Sequence, residues 1–103
     1  MGMGEVVPFV MSPATARKLI REVAQDSSRV FFRYHAEKQM KKRKITRMQV
    51  LNCLRRGKII EGPAEDISHG NWWCRVEGMA SGDVVTVAVA IEKSEDLTVI
   101  TVF

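Results

Sequence analysis

Apolar residues in the first part of the chain recur at helical spacing. Ser12 followed by Pro13 indicates a helix start, because the serine hydroxyl can accept a hydrogen bond from a free backbone amide and proline suits the first helical position. The pattern predicts a first amphipathic helix from Pro13 to about residues 25–28. Its apolar stripe consists of Ala16, Leu19, Ile20 and Val23. Residues 1–11 show no clear period, and we expect them to be flexible.

Two shorter helices are expected next. Residues 35–43 carry Ala36 and Met40 four positions apart, the spacing of one helix face. Thr46 then caps a further helix that ends at Gly57, where we expect the left-handed conformation that terminates many helices. The predicted buried stripe of this helix consists of Met48, Val50, Leu51 and Leu54. The apolar run 30–33 is either a brief strand or a lead-in to these helices.

After Gly57 the period changes to two, which is typical of strands. A break is expected at Gly62 and Pro63. The predicted strands are residues 58–61, 71–77, 84–91 and 97–103. Helices followed by a meander predict an α+β fold in which N-terminal helices pack on a C-terminal antiparallel sheet of about four strands. The whole chain, residues 1–103, is expected to form a single domain.

Composition limits the kinds of protein to consider. No apolar run reaches the roughly 18 residues that cross a membrane, and a secretory signal is not visible, so we expect a cytoplasmic protein without a membrane partner. Cys53 and Cys74 have no second cysteine or histidine at a ligand spacing, and we expect both to be buried hydrophobic residues. The sequence also lacks a glycine-rich phosphate loop, paired carboxylates at helical spacing and a histidine pair at ligand spacing, so we expect no metal and no cofactor.

The charge is strongly segregated. Eleven of the sixteen basic residues lie between Arg29 and Lys58, where Glu37 is the single acid. The other five basic residues face eleven acids, so the remainder of the chain is net acidic. Such segregation creates a positive surface for a polyanion, and it makes nucleic acid the first partner to consider.

The most specific group of candidate residues is concentrated in fifteen positions. It consists of Arg33, Tyr34, His35, Lys38, Arg43, Lys44 and Arg47. A histidine surrounded by cations has the parts of a ribonuclease centre: a group that moves a proton near neutral pH, and positive charge to stabilise a pentavalent phosphate. The alternative is that His35 only caps or packs at the start of its helix.

Other basic and aromatic residues are candidates for holding RNA. Lys41, Lys42 and Lys44 belong to a basic run that should contact phosphates without reading bases, as should Arg33 and Arg47. Trp72 and Trp73 are adjacent in a strand, so one should face the core and the other the opposite face. There Trp73 and its neighbour Arg75 could stack on an unpaired base, unless the N-terminal helix covers them.

Part of the sequence resembles a known family. His35, Met40, Arg43 and Ile45, followed by Thr46, form a pattern similar to that of a widespread bacterial family of small proteins labelled a domain of unknown function. The second half supports the resemblance with Trp73, Arg75, Val76, Gly78 and the ending 99–103. The match covers residues 31–103 and leaves the first helix as an addition.

That family is in turn similar to RelE, MqsR and BrnT type toxins. The resemblance implies a RelE-like fold, cleavage of mRNA without a metal, and inhibition by a small antitoxin protein. It points to His35 and Arg43 as motif residues, with Arg75 and Thr101 as further candidates on the sheet.

Our leading hypothesis is therefore a toxin-like, metal-independent endoribonuclease. His35 would transfer the proton, Arg43 and Lys38 would stabilise the phosphorane, and Trp73 and Arg75 would hold the RNA. The first alternative is a non-catalytic module that binds RNA or a protein. The second is a wholly structural motif in which His35 and Arg43 fix the helix to the sheet. The sequence does not indicate an oligomeric state.

Overall fold

The computed structural model describes residues 10–80, 82–93 and 95–103. The helices are α1 (Pro13–Ala24), α2 (Tyr34–Arg43) and α3 (Arg47–Arg56), and a single 3-10 turn covers Ser27–Arg29. The strands are β1 (Val30–Phe32), β2 (Lys58–Asp66), β3 (Asn71–Ala80), β4 (Asp83–Glu92) and β5 (Asp96–Val102). The expected flexibility of residues 1–9 lies outside the described residues. Met11, the last residue of the segment expected to be flexible, has its side chain buried in the core.

The five strands form one mixed sheet in the order β1-β5-β4-β3-β2. Strands β2 to β5 make the predicted antiparallel meander. The prediction of about four strands, all C-terminal to the helices, is wrong, because β1 lies between α1 and α2 in the sequence and pairs parallel to β5. A strand of three residues is too short to display a period of two, which is why the pattern left it ambiguous.

Side-chain caps define the starts of two helices. Ser12 Oγ accepts a hydrogen bond from the Thr15 amide at 3.1 Å. At α3, Thr46 Oγ1 accepts from the Gln49 amide, and the Gln49 side chain accepts from the Thr46 amide at 2.8 Å. This reciprocal pair satisfies two backbone donors that a helix start leaves free. Both predicted starts are confirmed.

Gly57 ends α3 for a reason that the sequence rule did not supply. Its φ is −74°, so the predicted left-handed conformation is wrong. A Cβ placed on Gly57 would lie 2.5 Å from the Cys53 carbonyl oxygen and 2.6 Å from that of Glu77. The position requires glycine because the end of α3 approaches the β3 backbone closely. The left-handed terminator occurs instead at Lys44, with a φ of 58°, after α2.

The core lies on one face of the sheet, beneath all three helices. Buried residues of the helices and of alternate strand positions, including Cys74 and Val87, form a single cluster. Burial of Cys53 and Cys74 is confirmed. Met48, by contrast, was predicted in the buried stripe of α3 and is 58% exposed. The opposite face of the sheet carries no helix within the described residues.

The strand β2 is longer than predicted. It continues through Gly62 and Pro63 to Asp66, and its pairing with β3 shifts register on both sides of Glu61. The predicted break is therefore an irregularity within one strand. In the part of the chain that is described, no helix is long and apolar enough to cross a membrane.

Candidate nucleic-acid interface

Helix α2 carries the candidate residues on a largely exposed surface. Ala36 and Met40 turn inward and join the core cluster, and the helix packs beside β5. The outward positions are polar or charged. His35, Lys38, Lys41, Lys42 and Arg43 are all exposed. Only a narrow face of α2 therefore packs on the core, and the rest of the helix surface is accessible to a ligand.

His35 lies in the first turn of α2 and is exposed. The residue before the helix is Arg33, and the helix start has no side-chain capping bond. Among the described residues, the His35 side chain makes neither a hydrogen bond nor an ion pair. The alternative that this histidine caps the helix start is therefore wrong, and its exposure gives no support to the alternative that it packs there.

Arg43 is the last residue of α2, eight positions after His35. At a rise of 1.5 Å per residue, the two backbone positions are about 12 Å apart along the axis. The structure thus places the two motif residues at opposite ends of one helix. Like His35, Arg43 is exposed and forms no ion pair with the described residues, so the alternative in which the two fix the helix to the sheet loses support.

Lys38 lies against an aromatic ring. Its Nζ is 5.4 Å from the centroid of Tyr34, four residues earlier. Residues three apart on a helix are surface neighbours, so Lys38 is also next to His35. Tyr34 and Lys38 line a concave region of about 580 Å³ together with Glu37, Lys41 and Lys42.

Arg47 is already engaged within the protein. Its Nη2 donates to Glu37 Oε2 at 2.7 Å, and its guanidinium lies 4.5 Å from the centroid of the Phe32 ring. Arg47 therefore joins α3 to α2 and β1. Arg47 was predicted to contact RNA, but its guanidinium is already bound to Glu37 and stacked on Phe32. The same ion pair neutralises the charge of Glu37.

Most of the basic segment has no internal counterion. Arg29 pairs with Asp96, Arg47 pairs with Glu37, and Arg55 donates to the Ala24 carbonyl oxygen. The other eight cations of the segment form no ion pair with any described residue. They are Arg33, Lys38, Lys41, Lys42, Arg43, Lys44, Arg56 and Lys58. Their charge is available to a polyanion from outside.

A second group of candidates lies on the helix-free face of the sheet. Trp73, Arg75 and Thr101 are brought together there by strand register, because Trp73 pairs with Ala90, Arg75 with Ala88, and Ala88 with Thr101. Trp72 packs against the core, so the prediction that the two tryptophans face opposite sides is confirmed. Helix α1 packs on the core side and does not cover Trp73.

Phe103 links the two groups of candidates. The Arg75 guanidinium lies 4.5 Å from the centroid of the Phe103 ring, and its Nε lies 3.2 Å from Glu61 Oε1. Phe103 and Arg43 line one shallow cavity of about 360 Å³. Sequence reasoning missed Phe103 and Glu61, because only the strand register reveals that they meet Arg75.

The thiols do not belong to this surface. Burial raises the pKa of Cys53 to about 12, with a further contribution from the negative charge of Glu77, and burial raises the pKa of Cys74 to about 11. The Cys53 Sγ donates weakly to the Val76 and Val85 carbonyl oxygens. Both groups are neutral at physiological pH and serve as small core residues.

The second histidine has a carboxylate partner that the sequence analysis did not find. In the turn after β2, His69 Nδ1 lies 2.9 Å from Asp66 Oδ2, and Ser68 Oγ donates to Asp66 Oδ1 at 2.8 Å. The Ser68 hydroxyl, followed by His69, holds the pKa of Asp66 below its usual value. The spacing of Asp66, Ser68 and His69 within one turn was the available signal. Over the described residues, no cluster of three or more His, Cys, Asp or Glu is placed to hold a metal ion.

Comparison with known proteins gives one match. The model of a family described as "Domain of unknown function (DUF4258)" matches residues 32–103, from the end of β1 through β5, and leaves α1 outside. No curated protein and no solved structure matches the chain. The family description states no activity, so the similarity to toxins stays a prediction. The chain belongs to the DUF4258 family of domains of unknown function.

Proposed function

We propose that this protein is a toxin-like, metal-independent endoribonuclease that acts on mRNA in the cytoplasm. The observation that carries the proposal is the surface of α2, where an exposed His35 lies among cations that form no ion pair within the described residues. Such cations attract a polyanion, which releases its own counterions when it binds. His35, in the first turn of α2, adds an imidazole that can accept a proton.

The chemistry follows from groups that RNA itself supplies. The 2′-hydroxyl attacks the adjacent phosphorus, a new O2′–P bond forms, and the P–O5′ bond breaks. His35 accepts the 2′ proton and passes it to solvent, and the leaving 5′ oxygen takes a proton from water, which gives a 2′,3′-cyclic phosphate and a 5′-hydroxyl end. Lys38, one turn from His35, and the longer-reaching Arg43 stabilise the charge that develops on the phosphorane.

The helix-free sheet face supports the proposal as a surface for the rest of the RNA strand. Trp73 and Arg75 offer a ring and a guanidinium for base stacking, and Thr101 offers a hydroxyl on the same face. The cavity that Arg43 and Phe103 share leads from α2 toward this face. RNA could thus contact both groups of residues.

A small antitoxin is the protein partner that we propose. The eight cations of the basic segment that pair with no described acid would bind an acidic segment as readily as a nucleic acid. A partner that covers α2 would hide His35 and the neighbouring lysines together. Inhibition would then require no change in the fold.

The first test uses both histidines of the chain. Purified protein is incubated with total cellular RNA in a chelator, beside His35→Ala and the matched control His69→Ala, and new ends are mapped. We expect the wild type and His69→Ala to produce 2′,3′-cyclic phosphate ends and His35→Ala to produce none. Cleavage that survives in His35→Ala, or RNA that stays intact in every tube, would refute the proposed reaction.

A non-catalytic module that binds RNA or protein is the second candidate, and one observation favours it. His35 lacks an orienting carboxylate among the described residues, whereas His69 has Asp66. An imidazole without a partner is less well positioned for general base catalysis. RNA binding of equal strength in the wild type and His35→Ala, without cleavage, would favour this candidate.

A further inference from the structure

Tyr34 is the single tyrosine of the chain, and its side chain is exposed to solvent. It begins α2, and 75% of the residue is exposed. Its neighbour on the same helix, Ala36, is fully buried, so the helix packs through a different face. An aromatic ring that contributes nothing to the core is therefore presented to solvent at one end of the basic surface.

The surroundings of the ring are positively charged. The concave region of about 580 Å³ beside it is lined by Lys38, Lys41, Lys42 and a single acid, Glu37. The Glu37 carboxylate is already paired with Arg47 at 2.7 Å. The Lys38 ammonium lies over the ring at 5.4 Å, which leaves the rest of the exposed ring surface accessible to a planar group.

We propose that Tyr34 stacks on an unpaired base of single-stranded RNA, while Lys38, Lys41 and Lys42 bind the flanking phosphates. An aromatic ring beside a row of cations is the combination that binds single strands, because every base has a π-face and every nucleotide has a phosphate. An acidic protein segment would bind the same lysines through its carboxylates, and it would not need a planar ring to stack on Tyr34. The inference rests on the proposed binding of RNA and places the stacked nucleotide next to His35.

The single tyrosine permits a direct test in the intact protein. Incorporation of 3-fluorotyrosine gives one fluorine NMR resonance, which reports on Tyr34 alone. We expect this resonance to move when oligouridylate binds and to stay in place when an abasic strand of equal length binds. A resonance that stays fixed at saturating oligouridylate would overturn the inference. So would one that moves only with an acidic peptide, which would indicate a protein partner.

Substitutions provide an independent measurement. Tyr34→Leu should weaken oligouridylate binding about 5- to 140-fold, the range that one stacked base contributes, and leave abasic binding unchanged. Tyr34→Phe should bind as the wild type does. Tyr34→Phe is therefore the matched control, because it keeps an aromatic ring at the same position. Equal affinity in Tyr34→Leu and the wild type would overturn the inference.

The outcomes separate this inference from the proposed ribonuclease. Stacking on Tyr34 without any cleavage supports the inference and removes the enzyme. Cleavage that persists with unaltered affinity in Tyr34→Leu supports the enzyme and overturns the inference. A protein that binds no RNA strand refutes both.

Discussion

Cys53 shows how burial decides the chemistry of one residue. Its thiol is fully buried, and the nearest polar atoms are two strand carbonyl oxygens that accept but cannot donate. A thiolate there would be desolvated and would lie near the negative charge of Glu77, so its pKa is raised to about 12. Burial alone raises the pKa of Cys74 to about 11.

These raised pKa values predict a pH dependence. The folded state disfavours both thiolates, so their contribution to stability is complete below the unfolded pKa of 9.0 and is lost as the pH rises toward 11 and 12. We expect both cysteines to resist alkylation at pH 8 in the native protein and to react within minutes in denaturant. Mass spectrometry of iodoacetamide-treated samples checks this. Rapid native labelling of either cysteine would contradict the burial described above.

The histidines show the limit of reading residues singly. Sequence placed His35 among cations and the structure leaves it exposed, but its relation to Arg43 follows only from the length of α2. The pairing of His69 with Asp66 was not predicted from the sequence, because it depends on the turn that brings the two side chains together. The sequence indicates which residues are candidates for catalysis. Local geometry decides which of these side chains come into contact.

At the scale of elements, α3 approaches β3 unusually closely. Two glycines permit this contact: Gly57 at the end of the helix and Gly78 on the strand, where a Cβ would lie 3.2 Å from the Cys53 Cα. A Cβ added to Gly57 would lie 2.5 and 2.6 Å from two backbone carbonyl oxygens, and backbone cannot move aside as a side chain can. The close contact between α3 and the sheet therefore depends on these positions.

We expect Gly57→Ala to lower the free energy of unfolding by about 3 kcal/mol, because the methyl group separates α3 from β3. The matched control is Gly70→Ala. Gly70 has a φ of +67° and nothing within 4 Å of an added Cβ, so that variant should lose only about 1 kcal/mol from backbone strain. Urea unfolding of both variants measures the difference. Equal losses would mean that close approach is not what requires glycine at position 57.

Periodicity and caps predicted most elements, and the failures have physical causes. Ser12 and Thr46 act as expected because a cap depends on the residues next to it. Met48 is exposed because its position on the wheel of α3 falls beyond the face that meets the sheet. The strand β1 was ambiguous because its place is set by β5, far away in the sequence.

At the scale of the whole molecule, the unequal distribution of charge leaves eight exposed cations of residues 29–58 without an ion pair to any described residue. Internal ion pairs absorb little of it, since the four described pairs involve three arginines and one histidine and none of the lysines. Attraction to a polyanion should therefore depend strongly on salt, because each bound phosphate releases counterions.

We expect the logarithm of RNA affinity to fall linearly with the logarithm of salt concentration. Lys42→Gln should make the slope shallower by about 0.7 for the phosphate contact that it removes from a single strand. Lys93→Gln, in the turn before β5, removes an equal charge outside the basic segment and should leave the slope unchanged. Fluorescence anisotropy measured at salt concentrations from about 50 to 300 mM gives the slope for each variant. Equal changes in the two variants would show that only net charge matters.

The pairing of β1 with β5 also governs how the chain can be shortened. Val30 pairs with Leu97, about two thirds of the sequence further on, so this contact closes a long loop and its entropy cost delays its formation during folding. The family match begins at residue 32, within that strand. A protein cut at this boundary would leave the backbone amides and carbonyls of β5 without their partner, and such an open edge recruits strands from other molecules. Residues before the family boundary thus protect the sheet from aggregation.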